Sequence, residues 1–206
     1  MKSLVHFAAA FLALATAVSA QSLSVEDIRA QIAAERDAPN PYAELLADPD
    51  PVVARRAMEI MLESGDAELR RLALEFGVHS PLPEVRHQAL GAWLAGTPRI
   101  EFVIANAGSP ESDFAELMRR LYGTAPNARG QSIWIVQLGG FNADRECFTN
   151  SGNNQCLFRH TQNGTWIFKD NVWQEVGLND SGQLVGTVVS SYPGTRANVR
   201  LTAPVP

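Results

Sequence analysis

The chain has 206 residues, of which 46% are hydrophobic, and a formal net charge of −5. This length is sufficient to bury one or two hydrophobic cores. The acidic balance argues against nucleic-acid binding, since phosphate backbones attract basic surfaces. The sequence has no HExxH, GxSxG or Gly-rich phosphate-loop pattern, so it predicts no catalytic residues, no metal site and no cofactor.

The N-terminal segment predicts a secretory signal peptide over residues 1–20. A positive charge at Lys2 precedes an apolar run from Leu4 to Val18, and small residues ending at Ala20 place cleavage before Gln21. A transmembrane anchor is the alternative, but the run is short and polar residues follow it at once. We therefore expect a periplasmic or secreted mature protein without a membrane span.

The composition changes along the chain and predicts an α+β fold in two parts. Residues 21–130 carry 17 acidic residues and 11 Arg and are rich in helix-forming Ala, Leu and Glu, whereas residues 131–206 carry five acidic and five basic residues and are rich in Val, Thr, Trp and Asn. We predict a helical repeat domain over residues 21–123, a linker over 124–130 and a β domain over 131–206.

Helices are predicted through most of the first part. The first begins with a capping box at Ser24 and ends near Asp37. Three more segments begin at Asp50, Asp66 and Leu82, at an offset of 16 residues, and each has apolar residues at i, i+4 and i+7. Helices that are apolar on one face must stack, which predicts a seam of three layers: Val53/Leu69/Val85, Ala57/Ala73/Ala89 and Ile60/Phe76/Ala92.

The repeated segments resemble HEAT-like helical repeats over about residues 41–96. The match consists of Asp50-Pro51-Val53-Arg55-Ala57 and, 32 residues later, Pro83-Val85-Arg86-Ala89. The resemblance implies a stacked-helix scaffold that binds a protein partner rather than an enzyme.

Basic residues recur at matching positions of these segments. They are interpreted either as a positive stripe for a partner or as side chains that satisfy acidic groups and carbonyls at helix ends. Under the first interpretation the candidate partner-binding residues are Arg55, Arg71 and Arg86.

Two elements are predicted between the repeat and the linker. The segment RIEFVIA from Arg99 alternates apolar and other residues, which is typical of a strand, and residues Glu111 to Tyr122 have a helical pattern.

The pattern of the last 76 residues predicts short strands, because runs of strand-forming residues alternate with clusters of Gly, Asn, Asp and Ser. Asn163-Gly164 and Asp170-Asn171 predict tight hairpin turns. The pattern predicts a small antiparallel β-sandwich or barrel with six strands: Ile133–Leu138, Cys156–His160, Thr165–Lys169, Val172–Val176, Leu184–Ser191 and Asn198–Leu201.

The only two cysteines, Cys147 and Cys156, predict a disulfide. They are nine positions apart in a chain with a secretory signal, and His160 alone cannot complete a zinc site. The closed segment is rich in turn formers, so it either presents a polar turn to a ligand or only stabilises a hairpin.

Aromatic residues of the second part have two interpretations. They either fill the core of a small sheet or, flanked by polar side chains, form a carbohydrate-binding platform. The candidate ligand-binding residues are Asn153, Asn154, Arg159, His160, Trp166 and Trp173.

Three functions remain open from the sequence. The first is a non-catalytic scaffold whose helices bind a protein partner in the cell envelope. The second is a carbohydrate- or cell-wall-binding protein that uses the β domain. The third is a hydrolase or hydrolase inhibitor whose site is assembled from distant residues.

Overall fold

The computed structural model describes residues 24–37 and 40–205, so the predicted signal peptide lies outside the described residues. The chain divides after Pro39 into two compact units. The first contains helix α1, Val25–Asp37. The predicted capping box is confirmed, because the Ser24 hydroxyl accepts from the Asp27 amide at 3.1 Å and the Asp27 carboxylate accepts from the Ser24 amide at 3.0 Å.

The second unit begins with four helices. They are α2 (Pro41–Leu46), α3 (Pro51–Glu63), α4 (Ala67–Val78) and α5 (Pro83–Ala95). The last three are the helices predicted from the repeat, and Asp50 and Asp66 cap α3 and α4 through bonds of 2.8 Å to backbone amides. Helix α2 was not predicted, although Asn40 caps it in the same way.

Consecutive helices pack against each other, α2 on α3, α3 on α4 and α4 on α5. The buried face of α3, however, differs from the predicted seam. Ala54, Met58 and Met61 are buried, whereas Val53 is 38% exposed and Ile60 is 53% exposed. The prediction was wrong for α3 because this helix is apolar on two faces, and the face with two Met side chains packs into the core. In the other two helices the seam is buried at Ala73, Val85 and Ala89.

The remainder of the second unit is a closed, eight-stranded antiparallel barrel. Each strand pairs with the next, and the first strand also pairs with the last, so of the two predicted architectures the structure is a barrel. A helix, α6 (Glu111–Leu117), continues as a π-helical turn over Met118–Tyr122 and connects the first strand with the second. The strands are β1 (Arg99–Asn106), β2 (Gln131–Asn142), β3 (Cys147–Asn150), β4 (Cys156–Thr161), β5 (Gly164–Lys169), β6 (Val172–Leu178), β7 (Gln183–Tyr192) and β8 (Thr195–Pro204).

Helices α4, α5 and α6 share a hydrophobic core with the barrel, and a second buried cluster lies among α2, α3, α4 and α5. Leu90 and Trp93 of α5 belong to the same buried cluster as Phe102 of β1. The segment 124–130, predicted as a linker, joins the π-helical turn to β2, and β1 precedes it in the chain. It therefore lies inside the compact unit of residues 40–206 and does not separate two units.

Candidate functional sites

An apolar groove lies between α2, α3 and α4 and has a volume of about 500 Å³. Apart from Arg56, Ser64 and the hydroxyl of Tyr42, its lining is apolar. An exposed apolar surface of this kind marks an interaction site more often than a solvated face. The large apolar side chains that line it and remain exposed are Tyr42, Leu45, Val52, Val53 and Ile60.

The groove follows from the second apolar face of α3. Val53, Ala57 and Ile60 stand at positions i, i+4 and i+7, on one side of the helix. Because α3 uses Met58 and its neighbours for the core, this side remains open, with α2 along one edge.

The three predicted partner-binding arginines lie elsewhere. Arg55 is exposed on α3. Arg71 is exposed on α4 and forms ion pairs of 3.2 Å with Glu68 and Glu75. Arg86 is largely buried and donates to the Ser80 carbonyl at 2.7 Å. Arg56, which lines the groove, was not singled out from the sequence.

A second concave site is a cleft of about 680 Å³ on the barrel, beside the disulfide. Its lining combines two aromatic rings, two arginines, two carboxylates and two amides. These residues come from the turn before β3, the start of β4 and the hairpin that joins β5 to β6: Ala143, Asp144, Arg145, Glu146, Gln155, Cys156, Arg159, Phe168, Asn171 and Trp173.

The predicted disulfide is confirmed and holds one wall of this cleft. It joins Cys147, at the start of β3, to Cys156, at the start of β4, with 5.6 Å between their Cα atoms. Within the closed turn the Asn153 side chain accepts from the Gln155 amide at 3.1 Å. The Asn154 carbonyl accepts from the Arg145 guanidinium at 2.8 Å. These two predicted ligand-binding residues therefore shape the turn.

The β5–β6 hairpin forms the opposite wall. Asp170 and Asn171 have φ values of 52° and 64°, which confirms the predicted tight turn. The turn pairs Phe168 with Trp173, and their ring centroids are 5.0 Å apart. Ile167, which precedes Phe168 on β5, is buried in the barrel, so the alternation of a strand places Phe168 on the outer face.

Arg159 and Trp173, both predicted from the sequence, meet in this cleft. The Arg159 guanidinium carbon lies 4.5 Å from the centroid of a Trp173 ring, a cation–π arrangement. Trp166 pairs with Arg159 across β4 and β5 and is half-buried over Gly164. Trp134 instead stacks on Phe102 at 5.2 Å in the core. Trp134 therefore packs in the core, as one of the two interpretations predicts, whereas Trp173 lines the cleft.

His160 lies outside the cleft, where α5 meets the barrel. Its ring stacks on that of His87 at 4.1 Å, and its Nδ1 lies 2.7 Å from the Thr165 hydroxyl. Gly91 of α5 allows this approach, since a Cβ there would lie 2.6 Å from His160 Nε2. Burial, together with the charge of His87, lowers the pKa of His160 to about 4.

A third cluster was not predicted from the sequence. The Lys169 ammonium lies 4.3 Å from the ring centroid of Tyr122 and 5.3 Å from that of Trp134. Burial lowers the pKa of Lys169, partly offset by Asp170, and raises the pKa of Tyr122 to about 12. One sequence signal could have identified it, because Lys169 and Lys2 are the only lysines in a chain otherwise rich in Arg.

Over residues 24–37 and 40–205, none of the helices is long and apolar enough to cross a membrane. Comparisons with protein-family models, with curated proteins and with solved structures gave no match to this chain.

Proposed function

We propose that this protein is a non-catalytic interaction protein that binds an amphipathic helix of a protein partner in the groove between α2, α3 and α4. The observation that carries the proposal is the exposed apolar lining of the groove, in which Val52 is 60% and Ile60 53% exposed. Single exposed apolar residues are ordinary, whereas a continuous set around a concave surface is typical of a binding site.

The chemistry of the groove favours a helix over an extended peptide. A strand or loop laid into an apolar groove would lose water from its backbone amides and carbonyls without gaining partners for them. A helix satisfies its own backbone and needs only apolar side chains at i, i+3 or i+4, and i+7. Val53, Ala57 and Ile60 have the matching spacing on α3.

The proposal includes a periplasmic or secreted location. Two observations support it: the sequence of residues 1–20 has the composition of a signal peptide, and Cys147 and Cys156 form a disulfide. Structural disulfides are typical of oxidising compartments. A scaffold in the cell envelope would meet its partners there.

Site-specific photo-crosslinking in the native cell tests the groove. A photoreactive residue at Val52 should yield an adduct with one partner, and the attached peptide should be an amphipathic helix. The same residue at Glu68, which is exposed on α4, is the matched control and should not yield that adduct.

Ile60→Asp should reduce the yield of the Val52 adduct at least ten-fold. The thermal unfolding midpoint should not change, because Ile60 is exposed. Equal crosslinking from Val52 and Glu68, or an adduct that survives Ile60→Asp in a folded protein, would contradict the proposal.

A further inference from the structure

One wall of the cleft beside the disulfide is aromatic and is fixed in place. Phe168 and Trp173 hold each other in place, and the two-residue turn at Asp170 fixes the hairpin that carries them. The opposite wall is held by the Cys147–Cys156 bond. Aromatic faces that are half-buried in a rigid cleft bind flat, partly apolar ligands at low cost in conformational entropy.

Arg159 lies against this aromatic wall and makes no ion pair among the described residues. Within the part of the chain that the structure describes, no carboxylate oxygen lies within 4.0 Å of its guanidinium. Its Nε is buried without a hydrogen-bond partner among the described residues, and its Nη2 makes only a 3.4 Å contact to the Arg145 carbonyl. A guanidinium has five N–H donors, so most of this capacity remains for a ligand. Its planar fork matches a carboxylate.

The remaining lining residues restrict the class of anion. Asp144 and Glu146 are exposed on the wall of the cleft and balance Arg145 and Arg159 in charge. These two carboxylates would repel a densely sulfated or phosphorylated polymer. The same carboxylates accept hydrogen bonds from hydroxyl groups, and the amide of Asn171 both donates and accepts. The lining therefore fits a ligand with one carboxylate and several hydroxyls.

We propose that this cleft binds a pyranose that carries a single carboxylate, with the apolar face of the sugar on Phe168 and Trp173 and its carboxylate on Arg159. The site is separate from the helix-binding groove and does not depend on it. Such a sugar occurs as a uronate in acidic polysaccharides and as a muramic acid in cell-wall glycan, and the shared chemistry is the carboxylated ring.

Isothermal titration of the mature protein with defined oligosaccharides tests this assignment. The probes are a glucuronate-containing tetrasaccharide, its carboxyl-reduced counterpart, and an N-acetylmuramic-acid disaccharide. We expect at least one acid to bind ten-fold or more tightly than the carboxyl-reduced probe, and the tighter acid identifies the source. Equal affinity for acid and reduced probe, or binding of none of them, would overturn the proposal.

Variants assign the contacts. Arg159→Gln should lower the affinity for the acid to that of the reduced probe, whereas Arg200→Gln, the same charge change at an exposed position of β8, should leave it unchanged. Trp173→Ala should weaken the binding of acid and reduced probe alike. An acid preference that persists in folded Arg159→Gln overturns the role of Arg159. If that variant does not fold, the affinities of the unaltered protein for the acid and for the carboxyl-reduced probe still test whether the cleft recognises the carboxylate.

Discussion

Individual side chains join the helices to the barrel, and His160 is the clearest case. It stacks on His87 from α5, and the His87 Nε2 lies 2.7 Å from the Thr161 carbonyl of β4. One histidine is thus held in a largely dehydrated contact beside another. Protonation of His160 would place a charge there against both burial and a neighbouring ring.

The stability of the protein should fall as the pH drops from about 6.5 towards 4. Because the pKa of His160 is about 4 when folded and near 6.5 when unfolded, the unfolded state binds the proton first, and stability present above pH 6.5 is lost across this window. After discounting for partial exposure, we expect a loss of about 1–2 kcal/mol. Urea unfolding at pH 7.5 and pH 4.5 measures it.

His160→Gln is the control, because glutamine does not titrate in this range and can still bond to Thr165. The difference between the two pH values should shrink by the same amount in this variant. An unchanged difference would assign the pH dependence to other groups.

Lys169 gives a second prediction for a single side chain. Competitive amine labelling across pH, followed by mass spectrometry, should show it losing its proton at a lower pH than an exposed lysine, because burial against Tyr122 and Trp134 disfavours the ammonium. Lys169 is the only lysine in residues 3–206, so the labelled peptide that contains it is assigned without ambiguity. A midpoint at or above 10.5 would contradict the prediction.

At the scale of a single element, the sequence pattern predicts that α3 is a helix but not which of its faces is buried. Two faces of this helix are apolar, so its period predicts the helix and leaves the buried face undecided. α4 has fewer options, since Gly77 lies against Ala89 of α5 and Met58 of α3, where a Cβ would lie 2.5 Å from the Ala89 Cβ. The close approach of small residues fixes its orientation.

Ala73→Leu should destabilise the protein by about 1–3 kcal/mol, because Ala73 is fully buried between the helices and added methylenes overpack the contact. Arg71→Ala on the same helix should cost less than roughly 0.5 kcal/mol, since its ion pairs are exposed. Thermal or urea unfolding of both variants measures this. A neutral Ala73→Leu together with a destabilising Arg71→Ala would contradict the packing described for α4.

The segment 124–130 gives a prediction at the same scale. A protease site introduced there should be cut without releasing a separate folded fragment, because β1 lies before the cut and pairs with β2 and β8 after it. Native gel filtration of the cut protein should give one peak that contains both pieces. Two peaks, with the piece from Gln131 onwards still folded, would contradict it.

For the molecule as a whole, the sequence predicted elements better than their assembly. The three helices of the repeated segments, the caps at Asp50 and Asp66, the hairpin turn at Asp170-Asn171 and the disulfide depend on neighbouring residues, and all are present. The seam depends on how the helices stack, and on α3 it differs from the prediction. The domain boundary followed composition, which changes at 130, whereas the barrel is completed by β1, a strand within the helix-rich part.

The candidate sites were predictable to different degrees for the same reason. Arg159 and Trp173 were both predicted as ligand-binding residues. They lie on different strands, and only the register of the barrel brings them together. The groove could not be predicted from the periodicity of the sequence, because its position depends on which apolar face of α3 is buried in the core.

The order of the strands also has a consequence for how the protein folds. Seven of the eight strand pairings join neighbours in the chain, and six of these form hairpins across short turns. The seventh joins β1 to β2 across α6 and the π-helical turn. The eighth joins Val103 to Thr202 across nearly the whole barrel sequence. This pairing closes the longest loop and therefore has the largest entropic cost. The sheet has a free edge until β8, the last strand to be synthesised, pairs with β1. Until then β1 remains open to pairing with another molecule, and synthesis rate and chaperone contact would determine the yield.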